Sequence, residues 1–309
     1  MNGNVYLGHN VFFVFPQRIP LNKSDNILTL SDGRTLAYAE YGYPCGKPIF
    51  FFHGIPGSRL FHPPDEVTTR LGVRLIATDR PGSGLSTYQP GRFIIDWPAD
   101  IAQLADHLGV DKFFVAGHSG GGPYALACAY ALPARVMAAG SLSGAGPVDA
   151  EDALKKMTPL NRLGSNLGRF TPWPLWRLVI WYLYRKGHDN PSYLFERGAR
   201  DRPPADTEVL NGPGVLGLNY ASQSEALRQG TRGFALEARL LVRPWGFRLE
   251  EIRVPVHIWH GTKDVDTPVA MGRVVAARIP NSHLTICPGE GHMLLFPHWE
   301  EILTQLTSE

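Results

Sequence analysis

At 309 residues the chain is long for one minimal domain and short for two full-size ones, and its 44% hydrophobic content excludes a disordered protein. Its 30 basic and 28 acidic residues leave a net charge of +2, which gives no overall electrostatic reason to expect nucleic acid or an anionic membrane as partner. Cys45, Cys128 and Cys287 are too few and too widely spaced for a disulfide framework or a zinc site, and they fit a reducing compartment.

The N-terminal run Val11 to Phe15 (VFFVF) is short, lacks a preceding basic residue and is followed by Pro16. It does not read as a signal peptide, so a cytoplasmic protein is expected, with residues 1–25 as an arm or tail. NILTL and LAYAEYG flank the turn Ser31-Asp32-Gly33 and predict a hairpin. PIFFFHG (Pro48 to Gly54) and VRLIATD (Val73 to Asp79) are continuous apolar runs, as in strands buried on both faces. A helix is predicted from about Asp96 to Leu108, a strand over FFVAG (Phe113 to Gly117), a helix over Pro123 to Leu132 and a strand over Val136 to Gly144. The rhythm returns with a strand at Val254 to Gly261, a helix at Val269 to Arg278, a strand at His283 to Cys287 and a helix at Trp299 to Leu306. Such alternation implies an α/β fold with a mostly parallel central sheet flanked by helices. Strand C-terminal ends then share one edge, where sites form. Between residues 145 and 244 the rhythm breaks and no buried strand stands out. This stretch predicts a helical insertion, dividing the core into residues 26–144 and 245–309.

Gly117-His118-Ser119-Gly120-Gly121 matches G-x-S-x-G between a predicted strand and a predicted helix. A sharp strand-to-helix turn strains the serine backbone and leaves no room for a Cβ two residues to either side. Ser119 then stands over a helix N-terminus that offers unpaired N–H groups. The alternative is a glycine-rich turn that cradles a phosphate.

A serine nucleophile needs a base. His292, in the glycine-rich loop CPGEGHM after the last strand, fits the chain order Ser…Asp…His. His260, His283 and His298 compete. The imidazole needs a carboxylate to fix its tautomer, and HGTKDVDTP offers Asp264 and Asp266, between which the residues alone do not choose. Oxyanion donors are expected from the N–H of Gly120 and from HGIPGS (His53 to Ser58), with the Ile55 N–H as candidate, unless HGIPG is an ordinary tight turn.

HGIPGS, DRPGSGLS (Asp79 to Ser86), GHSGG, GTKDVDTP and GEGH, in this order, make the chain resemble the α/β-hydrolase superfamily from about Asn26 onward. The resemblance implies Asp264 as the acid, in a G-x-x-D-x-x-x-P context, and implies that the insertion is a cap over the active site. DRPGSGLS resembles the family's structural turn and is assigned no chemistry. Capped esterases and proline-iminopeptidase-like hydrolases are the nearest general likeness. True iminopeptidases carry a glycine pair before the proline of HGIPG, so peptidase activity is not expected. Epoxide hydrolases and haloalkane dehalogenases use aspartate where Ser119 stands.

In the cap, Phe170 to Tyr184 carries Trp173, Trp176 and Trp181, which either pack the cap onto the core or line a substrate pocket. The segment is too short and too interrupted to span a bilayer, though an aromatic helix of this kind is compatible with docking on a membrane surface. The expected protein is a serine hydrolase of carboxylic esters or related small, mostly apolar acyl compounds, with no metal or organic cofactor. Alternatives are C–C bond hydrolysis, acyl transfer or perhydrolysis with the same residues, or a ligand receptor. Because Ser119, Asp264 and His292 lie outside residues 145–244, substrate shape is expected to be set mainly by the cap.

Overall fold

A computed structural model of the chain describes residues 25–147, 149, 155, 157–189 and 202–308. The expected arm falls outside the described residues except for Asp25, whose carboxylate accepts from Arg59 at 2.6 Å. The strands β1 (Asn26–Thr29), β2 (Thr35–Gly42), β3 (Lys47–Phe52), β4 (Val73–Thr78), β5 (Phe113–His118), β6 (Val136–Leu142), β7 (Val256–Gly261) and β8 (Ser282–Cys287) form one sheet in the order β1-β2-β4-β3-β5-β6-β7-β8. β2 runs antiparallel to both β1 and β4, and every other pair is parallel. The predicted hairpin is β1–β2, with Gly33 at φ +83° in its turn.

The helices α1 (Asp65–Arg70), α2 (Trp97–His107) and α3 (Gly122–Ala131) flank the first half of the sheet. Between β6 and β7 come α4 (Pro159–Phe170), α5 (Trp173–Asp189), α6 (Pro204–Asn211), α7 (Val215–Ala226) and α8 (Arg232–Leu241), followed after β7 by α9 (Val269–Arg278) and, after β8, by α10 (Trp299–Leu306). The insertion is therefore helical among its described residues, as its broken strand rhythm predicts. None of the described helices is long and apolar enough to cross a membrane.

β3 shows why the central strands read as unbroken apolar runs. Phe50 and Phe52 pack with residues of α2 and α3 on one face, and Phe51 packs against Trp299 of α10 on the other. All three are fully buried, so neither face of the strand needs a polar residue. With both faces covered, the carboxyl edge of the parallel strands is where loops converge, and Ser119, Asp264 and His292 follow β5, β7 and β8 there.

Candidate active site

Ser119 occupies the turn between β5 and α3 with φ +55°, a left-handed conformation uncommon for a residue with a side chain. A Cβ at Gly117 would fall on the carbonyl of Gly121, and a Cβ at Gly121 would fall on the carbonyl of Phe52. These two glycines let the turn close on itself and on β3. The Ser119 side chain stands beside Gly54, where an added Cβ would lie 3.2 Å from the Ser119 Cβ.

Asp264 and His292 meet across the ends of β7 and β8. Nδ1 of His292 donates to Oδ2 of Asp264 at 2.9 Å. Asp264 Oδ1 accepts from the N–H groups of Asp266 (3.0 Å) and Thr267 (2.9 Å), and the Thr267 hydroxyl lies 2.9 Å from Oδ2. Asp266 turns instead to the insertion, where it accepts from Nδ2 of Asn161 at 3.0 Å. Of the competing histidines, His260 is buried and donates from Nε2 to the Thr267 carbonyl at 2.5 Å, His283 stacks on His257, and His298 lies 3.4 Å from Glu301.

Burial opposes charge on the His292 ring, but Asp264 at hydrogen-bond distance, with Asp266 and Asp206 nearby, pushes its pKa up to about 9. Burial favours the neutral acid at Asp264, yet His292 and the surrounding donors hold the carboxyl below its usual range. His118, next to Ser119, goes the other way: burial, then the neighbouring His292, lowers it to about 3. It stays neutral and donates from Nε2 to the carbonyl of His292 at 2.9 Å.

Ser119 and His292 border one cavity of about 560 Å³ without a direct hydrogen bond between them. Serine–base contacts of this kind are often loose before substrate binds. Ile55 and Gly120 border the same cavity. The Gly54 carbonyl accepts from Arg80 Nη2 at 3.0 Å and from His53 Nδ1 at 2.7 Å. Across a planar trans peptide, the N–H of Ile55 points the opposite way from that carbonyl. HGIPG is thus held in one orientation by buried partners rather than being a free turn.

The three tryptophans part company. Trp176 lines the cavity, buried, with its indole N–H donated to the Ala235 carbonyl at 2.8 Å. Trp173 packs between the insertion and the core beneath the Arg239 guanidinium and does not line the cavity. Trp181 corrects the expectation most clearly, being 46% exposed. Five residues past Trp176, it lies about 140° round the helix, on the outer face.

Residues 49–305 match the sequence profile of the Alpha/beta hydrolase family. The chain belongs to the alpha/beta hydrolase family. A proline iminopeptidase of Xylella fastidiosa (strain 9a5c) is 34% identical, with 92% of this chain and 95% of the relative covered. A non-heme chloroperoxidase of Streptomyces lividans is 36% identical over 88% of this chain and 95% of its own length. An esterase from Exiguobacterium antarcticum shares the fold with a TM-score of 0.63 at 21% identity, covering 92% of this chain and 98% of its own.

In this alpha/beta hydrolase the insertion reaches the site through two carboxylates that sequence reasoning missed. Asp206 of α6 accepts from the N–H of His292 (2.9 Å, Oδ2) and of Met293 (2.7 Å, Oδ1). Gly291 makes room for it, since a Cβ there would collide with the Asp206 carboxylate. Glu237 of α8 accepts from Arg80 Nε at 2.5 Å, from the Tyr124 hydroxyl at 2.9 Å and from Arg92. Arg80 in turn holds the carbonyls of His53 (2.6 Å) and Gly54. DRPGSGLS therefore supplies, in Arg80, a buried link between the insertion and the HGIPG loop. Nothing local marks Asp206 in PADTEVLN, and Glu237 stands out only as an acid amid the apolar positions of RGFALEARLL, with no hint of its partners.

Proposed function

We propose that the protein is a serine hydrolase of carboxylic esters or related small, mostly apolar acyl compounds, with residues 145–244 acting as a cap. Ser119 Oγ attacks the acyl carbonyl and passes its proton to Nε2 of His292. Asp264 keeps Nδ1 of that ring protonated and stabilises the imidazolium. The N–H groups of Gly120 and Ile55 receive the oxyanion. His292 protonates the leaving group, then activates a water that releases the acid from the acyl-enzyme. No metal or organic cofactor takes part in these steps.

The observation that carries this reading is the strained backbone of Ser119 beside a hydrogen-bonded His292–Asp264 pair on one cavity. Acyl substrates of apolar character are favoured by the cavity wall, which includes Leu167, Trp176, Val179, Ile180, Phe234 and Leu241. Kinetics with chromogenic esters of increasing acyl length test the proposal. A burst of alcohol equal to the enzyme concentration, with a chain-length optimum, is expected. Absence of turnover across the series would contradict it and leave a binding protein on this fold.

A further inference from the structure

Seven of the eleven exposed large hydrophobic side chains among the described residues lie in α4 and α5. They follow helical spacing: Leu163 and Phe170 on α4, then Leu175, Leu178, Trp181 and Tyr182 on α5, with Leu183 at the edge of the stripe. The buried face of α5, with Trp176 and Ile180, already packs within the insertion, so this is a second, outward stripe. Natural monomers rarely leave such a concentration of apolar surface without a partner.

Charge says which partner. From residue 157 to the end of α5, Arg162, Arg169, Arg177, Arg185 and Lys186 stand against one acid, Asp189 at the C-terminus of the helix, although the whole chain is nearly balanced. Arg162, Arg177 and Arg185 are exposed. The guanidinium of Arg185 lies 5.2 Å from the Trp181 ring and that of Arg169 lies 5.1 Å from the Phe170 ring. Aromatic and aliphatic residues interleaved with arginine, in a clear excess of cations over acids, suit the interface of an anionic bilayer. A twofold contact with a second copy would set the same cations against themselves.

We infer that α4 and α5 form a peripheral docking face for an anionic phospholipid surface. Val179 and Leu183 line both the cavity at Ser119 and the outer apolar depression formed with Leu178, Trp181 and Tyr182. Docking therefore sets the wall of the substrate cavity against the lipid, a route for apolar substrates that partition into membranes. The binding itself is independent of the chemistry proposed for Ser119.

Co-sedimentation of the full chain with vesicles of phosphatidylcholine, with and without phosphatidylglycerol, at low and high salt, tests this. Wild-type protein should pellet with anionic vesicles and be released by salt. Leu178→Ser, and Arg177→Glu combined with Arg185→Glu, should lower the partition coefficient about tenfold or more. Circular dichroism melting checks that both variants are folded. No binding, equal binding to neutral vesicles, or variants that bind like wild type would overturn the inference. So would self-association that Leu178→Ser abolishes in the absence of vesicle binding, which would assign the face to a second copy.

Discussion

Arg80 Nε donates to the Glu237 carboxylate at 2.5 Å, while the two terminal nitrogens of the same guanidinium hold the carbonyls of His53 and Gly54. One fully buried cation thus ties the last helix of the insertion to the loop that precedes the proposed oxyanion donor Ile55. Burial lowers the Arg80 pKa to about 10, which still leaves the guanidinium charged at neutral pH and paired with the Glu237 carboxylate.

Glu237→Gln keeps the shape and removes the charge that balances Arg80 and Arg92. Breaking a buried ion pair from one side costs about 3–5 kcal/mol. Urea unfolding should show a loss of about that size. kcat should also fall more than KM rises, because a displaced Gly54–Ile55 peptide weakens the oxyanion more than the bound substrate.

Asp264→Asn should lower kcat by about 10³- to 10⁴-fold, the cost of a wrong histidine tautomer. Asp266→Asn should cost less than about tenfold, since that side chain contacts Asn161 rather than His292. Steady-state kinetics on one ester decide it, and the opposite ranking would move the acid to Asp266.

Much of this was legible beforehand. Strands such as β3 and β5 are buried on both faces, so their apolar runs FFF and FFVAG are unbroken, and Gly117 and Gly121 announce a turn that tolerates no Cβ. Local signals of that kind sit within a few residues of one another. The choice between Asp264 and Asp266 was different, because both follow the same strand and only the loop's path turns one toward His292. Asp206 and Glu237 were not legible, because their partners lie 86 and 157 residues away in sequence. Trp173, Trp176 and Trp181 share one segment, but helical rotation separates their surroundings.

The neutral ring of His292 is the form that accepts the Ser119 proton, so kcat/KM should rise with pH through its pKa. With that pKa pushed up to about 9, the rise should lie well above the ordinary histidine value of about 6.5. Asp264→Asn should move the residual profile toward lower pH. The same shift links to stability. A raised folded-state pKa contributes stability that is complete below about pH 6.5 and lost as pH climbs through about 9. Wild-type protein should therefore lose more stability than Asp264→Asn over that interval, measured by denaturant midpoints at each pH. A kcat/KM profile flat from acid to alkaline pH would contradict this assignment.

Asp206→Asn replaces a carboxylate that accepts from two backbone N–H groups beside the base. Hydrogen bonds to charged groups contribute about 1.5–3 kcal/mol, so kcat should fall on the order of tenfold to a hundredfold if the His292 loop loses its register. Nuclear magnetic resonance of the histidine ring protons would show the His292 signals shifted and broadened. Unaltered signals and unaltered kcat would mean that the insertion bears on substrate shape alone.

The most direct measurement of the central claim is covalent labelling with a fluorophosphonate, followed by digestion and mass spectrometry. The account predicts a single adduct, on the peptide that carries Ser119. Ser119→Ala should abolish both labelling and ester turnover while leaving the circular dichroism spectrum and melting temperature close to wild type. An adduct on another residue, or ester hydrolysis that survives in a pure sample of Ser119→Ala, would contradict it.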